Sequence, residues 1–266
     1  MDTATLPRLI TPVDSVQMLV DAWALMTGRY RGCCLIRDDG VTTVFANRAL
    51  SFFNLSILDL PLIGTDDFHD ALAVARSRAS ASAHPSFLAL CGEWAPDGWE
   101  DVAADAGWLR SLSMWGMATD RLLPTRRPEP ALEFRLVCEQ VTALDVGLVN
   151  AFAYDMPPQA FDCLGEMELW EGGAFGIVGY DEDRPVTSAS AFVLPNAIYV
   201  AMVASAPGLH GRGYGEAAMR RAIAEAEQAA GRRRIWLHAT EAGFPLYRSM
   251  GFQCGPALVL FHLPAG

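Results

Sequence analysis

Three glycines at positions 211, 213 and 215 follow an apolar run and precede an Ala-rich segment with helical periodicity. Glycine lets the backbone approach a ligand closely, and the first turn of a helix presents unpaired N–H groups at the positive end of the helix dipole. Both the close backbone approach and the free N–H groups favour an anionic ligand. Residues 203–215 therefore predict a cradle for a phosphate-bearing cofactor.

Glycine-rich loops of this kind occur in several nucleotide-binding folds, so the loop alone does not identify the cofactor. Residues 213–218 match a dinucleotide fingerprint with Ala in the last place, but in that motif the strand runs directly into the first glycine. Here residues 205–212 intervene. A P-loop needs Gly-Lys-Ser/Thr, and all 20 basic residues of this chain are Arg, which excludes it.

A third interpretation rests on two motifs in a fixed order. The first is Pro207 followed by His-Gly-Arg-Gly-Tyr-Gly at 210–215, between a strand and a helix. The second follows a further predicted strand at 234–240 and ends in Leu-Tyr-Arg-Ser-Met-Gly-Phe at 246–252. The two motifs are separated by about one helix and one strand. In this order and at this spacing, they resemble the two signature motifs of the GNAT acyltransferase superfamily. The resemblance covers roughly residues 131–266, about half of the chain.

The resemblance implies an α/β (α+β) chain with the GNAT acyltransferase fold and a mixed central sheet. It implies an N-acetyltransferase that uses acetyl-CoA as cosubstrate and acetylates an amine of a small molecule or peptide by direct attack in a ternary complex. A non-catalytic regulator that binds acyl-CoA is the alternative. An NAD-type oxidoreductase would need an acidic residue about 20 residues beyond the glycines, whereas the first candidate, Glu241, lies 28 residues beyond Gly213.

The same resemblance assigns roles to residues. The backbone of Val203 and Ser205 is expected to pair with the pantetheine arm. Tyr247 is the expected general acid, since a phenol with a pKa near 10 can protonate a departing thiolate at neutral pH. His210 stands where the family usually has Arg or Gln, and Thr240 where many relatives have Asn. The expected cofactor-binding residues are Val203, Ser205, His210, Gly211, Arg212, Gly213, Tyr214, Gly215 and Thr240.

No residue is assigned as the general base. Four carboxylates, of Asp155, Glu166, Glu168 and Glu171, fall in the region expected to form the acceptor pocket, and none has a defining context. His238 lies on a predicted strand and is expected to be packed or hydrogen-bonded. The six cysteines lack the spacing of metal ligands and the density of a disulfide scaffold. We therefore predict reduced thiols and no metal site.

Three prolines in residues 122–130 disfavour regular structure and indicate a linker. We divide the chain into a first domain at 1–123, a linker at 124–130 and the acetyltransferase domain at 131–266. The first domain is interpreted as a degenerate GNAT-like copy in a tandem arrangement, with an unrelated α+β cap as the alternative. In the degenerate copy, Gly107 and Trp108 after a helix would mirror Gly251 and Phe252.

Periodicity and turn residues predict the elements of both halves. In the second half, strands are expected at 131–138, 174–180, 186–194, 198–205, 235–238 and 257–262, and helices at 141–154, 213–230 and 245–250. In the first half, strands are expected at 30–37, 41–47 and 86–91, and helices at 67–80 and 99–106. The predicted buried face of the helix at 213–230 consists of Ala218, Met219, Ala222, Ile223 and Ala226.

The charge and the hydropathy of the sequence limit the kinds of binding partner that we expect. A net charge of −11 argues against nucleic acid, whose phosphate backbone requires a basic face. The apolar run at 50–64 is interrupted by polar residues and is shorter than the roughly 20 residues of a membrane span, so we expect no membrane. Residues 1–8 lack the basic start of a signal peptide, which favours a cytoplasmic protein. The predicted partners are acetyl-CoA and an amine acceptor, and a homodimer is left open.

Overall fold

The computed structural model describes residues 9–38, 40–61 and 64–264. Its strands are β1 (Cys34–Asp38), β2 (Val41–Phe45), β3 (Asn54–Leu58), β4 (Phe87–Cys91), β5 (Leu109–Thr119), β6 (Glu133–Leu136), β7 (Ala174–Asp181), β8 (Arg184–Val193), β9 (Ala197–Ser205), β10 (Arg234–Thr240) and β11 (Gln253–His262). Its helices are α1 (Pro12–Thr27), α2 (Thr65–Ala81), α3 (Trp99–Asp105), α4 (Gln140–Ala153), α5 (Tyr214–Ala230) and α6 (Phe244–Ser249).

All of these strands join one mixed sheet in the order β1-β2-β3-β4-β11-β5-β10-β9-β8-β7-β6. Most neighbours are antiparallel, while β3 with β4 and β9 with β10 are parallel. The mixed α/β fold predicted from the sequence is confirmed. The predicted run at 50–64 contains the buried strand β3, and its residues 62–63 lie outside the described part of the chain, as do residues 1–8, on which the signal-peptide prediction rests.

The second half follows the predicted elements closely. The five residues predicted for the buried face of α5 are its buried residues, and they pack in one cluster against β7 to β10. Gly213, with a φ of +83°, precedes the helix, and Gly231 ends it. The first strand, β6, is shorter than the predicted range of 131–138.

The first half departs further from the prediction. The strand predicted at 30–37 begins only at Cys34, because residues 28–33 form turns that bury Tyr30. The Tyr30 hydroxyl donates a hydrogen bond to the Cys163 carbonyl oxygen, 3.1 Å away in the second half. Three further elements, α1, β3 and β5, are not predicted from the sequence. Of these, α1 carries a readable start signal, a capping box of Thr11 and Asp14.

The two halves repeat one element order. Helix, hairpin, strand, helix, strand, short helix and strand run from α1 to β5 and again from α4 to β11, with β6 added before the second set. The predicted correspondence of Gly107-Trp108 with Gly251-Phe252 is visible in the structure. Each glycine has a positive φ and follows a short helix, and each aromatic side chain is 1% exposed. This repetition supports a tandem fold with a degenerate first copy.

The halves exchange their last strands. β5 lies between β11 and β10, and β11 lies between β4 and β5. Met117 on β5 is therefore buried in the apolar cluster of the second half, while Val259 and Phe261 on β11 are buried in that of the first. Burying each such side chain contributes roughly 1.5–3 kcal/mol. Each half thus completes the core of the other.

Three other observations bear on partners and chemistry. Within the described residues, no helix combines the length and apolar character needed to cross a membrane. The same residues contain no group of three His, Cys, Asp or Glu side chains that could hold a metal ion. The six cysteines are all free thiols.

Replacing Gly116 with Ala should destabilise the protein, because α1 packs directly on β5 at this glycine. A Cβ at Gly116 would lie 2.9 Å from Cβ of Ser15 on α1. Overpacking of this kind costs about 1–3 kcal/mol. We expect Gly116→Ala to lower the free energy of unfolding by that amount, as measured by urea denaturation.

Gly215→Ala is the matched control, since a Cβ there lies 3.5 Å from its nearest neighbour and alanine favours helices. The control should unfold at the wild-type urea concentration or slightly above it. Equal stability of the two variants would contradict the close packing of α1 on β5.

Candidate functional site

The parallel strands β9 and β10 separate along their length. They pair only at their first residues, Arg234 with Ala197, Ile235 with Ile198 and Trp236 with Tyr199. Beyond these pairs, the edge of β9 that faces β10 has no strand partner in the described part of the chain. Unpaired backbone N–H and C=O groups there require another partner. The two strands therefore leave an opening in the middle of the sheet.

A bulge in β9 marks the point where the strands diverge. The pairing of β8 with β9 shifts register between Ser188 and Ser190, and Met202 opposite the shift has a φ of +53°. The Met202 carbonyl oxygen accepts hydrogen bonds from the Ser188 hydroxyl at 3.1 Å and the Asn150 amide at 3.4 Å. The side chains of Ser188 and Asn150 are almost fully buried. A buried polar cluster between α4, β8 and β9 thus holds the strained backbone.

The opening contains a cavity of about 680 Å³. Its walls come from β9, the glycine loop, the first turn of α5, the end of β10 and α6. Nine of the ten residues predicted for the site line it, and Arg212 does not. The lining residues among those predicted are Val203, Ser205, His210, Gly211, Gly213, Tyr214, Gly215, Thr240 and Tyr247.

One end of the cavity is suited to an anion. Gly211 and Gly213 have φ values of +77° and +83°, so the loop backbone adopts a left-handed conformation that favours glycine. No side chain caps the N-terminus of α5, which leaves its first N–H groups facing the cavity. The nearby Glu216 carboxylate accepts a hydrogen bond from Nε of Arg220 at 2.9 Å, which offsets its charge.

Tyr247 on α6 lines the same cavity. Its side chain is 8% exposed, and its hydroxyl has no hydrogen-bond partner among the described residues. Burial raises the pKa of Tyr247 well above its ordinary value, and the nearby Tyr154 hydroxyl adds to the rise. The phenol therefore carries its proton at neutral pH and has no protein acceptor for it.

His238 is a cavity residue whose role the sequence analysis did not identify. It lies on β10, where its Nδ1 is 2.9 Å from the Tyr199 hydroxyl and its Nε2 is 3.2 Å from the Ser15 hydroxyl. Burial lowers the pKa of His238 to about 4, and the hydrogen bond with Ser15 opposes the shift only in part. The imidazole is therefore neutral at pH 7 and is hydrogen-bonded, as predicted, through a residue of the first half.

Tyr154, one residue of the cavity wall, belongs to a cluster of aromatic rings. Tyr154 lines the cavity, and its ring lies 5.9 Å from that of Phe52 and 6.5 Å from that of Phe161. Phe52 belongs to the first half and also contacts Phe87, at a centroid distance of 5.0 Å. Both halves thus contribute to the aromatic cluster behind Tyr154. None of the tryptophans lies in the cavity wall.

The four carboxylates weighed as general bases lie outside the cavity wall. Glu166 is bound by Arg48, with Oε2 accepting from Nη2 at 2.7 Å. Asp155 follows Tyr154 but is exposed and is not a lining residue. The general base therefore stays unassigned.

Comparison with known proteins identifies relatives of this architecture. Residues 148–252 match the model of the Acetyltransferase (GNAT) family. Among curated protein sequences, none matches the chain. A GCN5-related N-acetyltransferase from Kribbella flavida is 16% identical, with a TM-score of 0.70 over 95% of this chain and 96% of that one.

Two further solved structures share the fold at lower similarity. A tandem GNAT protein from the clavulanic acid biosynthesis pathway is 13% identical, with a TM-score of 0.52 over 95% of each chain. An acetyltransferase of the GNAT family from Novosphingobium aromaticivorans is 14% identical, with a TM-score of 0.52 over 86% of this chain and 89% of that one. At these identities the likeness shows the fold, and the predicted GNAT fold is confirmed.

Gly213→Val should weaken binding of a phosphate-bearing ligand at least about 10-fold. Valine at a φ of +83° costs about 1–3 kcal/mol, and its side chain would enter the space where the backbone meets the ligand. Isothermal titration calorimetry with acetyl-CoA measures the effect.

Gly231→Val is the matched control, because Gly231 has a φ of +75° at the other end of α5 and open space around it. Both variants should lose similar unfolding free energy, but only Gly213→Val should lose affinity. Equal affinities would show that the loop does not bind the ligand.

Because His238 is neutral in the folded protein, the free energy of unfolding should decrease as the pH is lowered. Between pH 6.5 and 4, the unfolded chain binds a proton at this histidine that the folded chain does not, so the free energy of unfolding decreases as pH falls. The loss from this residue is about 2 kcal/mol at pH 4.5.

Urea denaturation of wild type and His238→Gln at pH 7 and pH 4.5 isolates this contribution, because the other titrating groups are shared. The wild type should lose about 2 kcal/mol more than the variant over this range. Identical losses would mean that His238 titrates in the folded protein as it does in the unfolded chain.

Proposed function

We propose that this chain is an N-acetyltransferase that transfers the acetyl group of acetyl-CoA to an amine, because residues 148–252 match the GNAT family and nearly the whole chain has the GNAT fold. The match and the fold support acyl-CoA-dependent acetyl transfer in general. One observation carries the proposal: a single cavity in the β9–β10 opening joins an anion cradle to a protonated phenol. We also propose a cytoplasmic location, where acetyl-CoA is available to such an enzyme.

The cavity residues fit acetyl-CoA. The uncapped first turn of α5 and the backbone of Gly211 and Gly213 would hold phosphates, since they present N–H groups to the cavity. A Cβ at Gly211 would meet open space, and one at Gly213 would meet only the Arg127 side chain. The unpaired edge of β9 at Val203 and Ser205 would pair with the amide groups of the pantetheine arm, as an added strand would. The Thr240 hydroxyl can donate a hydrogen bond from the end of β10.

Three tasks fall to the protein in direct transfer. It must position the reactants, polarise the thioester carbonyl and protonate the leaving sulfur. When bound, acetyl-CoA supplies an activated acetyl thioester. A backbone N–H on the open edge of β9 is the expected donor to the carbonyl oxygen. Tyr247 gives its phenolic proton to the sulfur as the C–S bond breaks and the C–N bond forms.

The acceptor is a small-molecule or peptide amine. Its apolar part would lie against Tyr154, which lines the cavity and whose ring packs on Phe52 and Phe161. Aromatic faces accept both apolar groups and cations. Among the described residues the cavity wall contains one carboxylate, Glu216, which is paired with Arg220 beside the α5 N-terminus. Water would therefore take the proton released by the amine.

Tyr247→Phe should lower kcat about 100-fold or more, because general acid catalysis typically contributes 10²–10⁴-fold. Affinity for acetyl-CoA should be unchanged, since the hydroxyl acts on the leaving sulfur. The measurement is thiol release from acetyl-CoA over a panel of aliphatic and aromatic amines, with the dissociation constant taken from calorimetry.

Tyr214→Phe removes a hydroxyl from another tyrosine in the cavity wall. It should retain wild-type kcat at saturating acetyl-CoA, because Tyr214 is an expected cofactor-binding residue with no step in the chemistry. Wild-type kcat in Tyr247→Phe would remove the phenol from the mechanism. Saturable acetyl-CoA binding with no thiol release for any amine would instead favour a non-catalytic acyl-CoA-binding regulator.

A further inference from the structure

The segment that joins the two halves, residues 122–130, is fastened to the second half at its first residues. We refer to it as the strap. The Leu123 N–H donates to the Met250 carbonyl oxygen at 2.9 Å, and the Leu123 carbonyl oxygen accepts from Nη2 of Arg220 at 2.6 Å. The Leu123 side chain also packs over Gly251, where a Cβ would lie 2.8 Å from its Cγ. The strap therefore starts at a defined position beside α5 and α6.

The other end of the strap is held by α5. Glu129 forms an ion pair with Arg221, whose guanidinium also lies 4.5 Å from the ring centroid of Phe134 on β6. Pro124, Pro128 and Pro130 further limit the conformations of the segment. Both ends of the strap are thus anchored to α5, one through Arg220 and the other through Arg221.

A small turn places Arg127 over the glycine loop. The Thr125 hydroxyl accepts from the Arg127 N–H at 3.3 Å and lies 3.1 Å from the Arg127 carbonyl oxygen, to which it donates. The Arg127 Cδ would lie 3.5 Å from a Cβ at Gly213, and Arg127 lines the cavity. The sequence alone predicts only that Arg127 is part of the linker at 124–130.

Arg127 carries an uncompensated charge in this position. Among the residues that the structure describes, no hydrogen bond or ion pair involves its guanidinium, whereas Arg220 binds Glu216 and Arg221 binds Glu129. The uncapped N-terminus of α5 beside it is itself a centre of partial positive charge. Two positive groups that face one cavity repel each other, and a bound anion removes the repulsion.

We propose that Arg127 binds a phosphate group of acyl-CoA and that the strap thereby couples the junction of the two halves to the cofactor. The inference rests on the proposed function, because it concerns the same cavity. The pyrophosphate and the 3′-phosphate offer the same chemistry to a guanidinium, namely paired anionic oxygens.

The test compares Arg127→Ala with Arg126→Ala, which removes the same charge from the neighbouring residue outside the cavity wall. Calorimetry measures the dissociation constants of acetyl-CoA and its 3′-dephospho form, and thermal unfolding without ligand checks that both variants are folded. Arg127→Ala should bind acetyl-CoA about 10- to 100-fold more weakly than wild type, the effect of losing a charged hydrogen bond. Arg126→Ala should bind like wild type.

The titration with 3′-dephospho acetyl-CoA shows which phosphate group Arg127 contacts. If Arg127→Ala weakens both ligands equally, Arg127 contacts the pyrophosphate, and if it weakens only acetyl-CoA, Arg127 contacts the 3′-phosphate. Equal affinity of wild type and Arg127→Ala, or an equal loss in both variants, would overturn the inference while leaving the proposed function intact. Absence of acetyl-CoA binding to the wild type would overturn both.

Discussion

The site depends on the early end of pairing between β9 and β10. Backbone groups in the middle of a sheet normally find partners on the adjacent strand. Here β9 and β10 pair at only three positions, and β9 contains a bulge at Met202, just beyond the last pair. The strain of that residue is held by the buried hydrogen bonds of Asn150 and Ser188. As a result, the sheet contains an opening with free backbone groups on one edge, and the cavity lies within it.

Strand exchange gives β10 a partner on the side away from the opening. β10 loses its partner on one side beyond Trp236 but pairs with β5 from the first half over residues 235–240 on the other. His238, opposite Gly116 in this pairing, also bonds to Ser15 of α1. The first half lacks a glycine cradle of its own, yet it supports the strand that forms one wall of the site. A degenerate copy that retains this structural role explains why both halves share one sheet.

Local signals in the sequence were sufficient for the parts of the site that depend on local backbone geometry. Gly213 starts α5 in the conformation that a glycine-rich loop requires, and the buried face of α5 follows from helical periodicity. The division at residues 124–130 remains a prediction. The roles of Arg127, Tyr154 and His238 could not be read from the sequence, because each arises from contacts between distant segments. Ser15 and His238, for example, are 223 residues apart.

The most direct measurement is a calorimetric titration of the wild-type protein with acetyl-CoA and, separately, with NADH. We expect one acetyl-CoA site per chain, with a dissociation constant within the ~1 µM to 1 mM range common for enzyme substrates, and no saturable binding of NADH. Saturable NADH binding without any binding of acetyl-CoA would contradict the assignment of the β9–β10 opening as an acyl-CoA site.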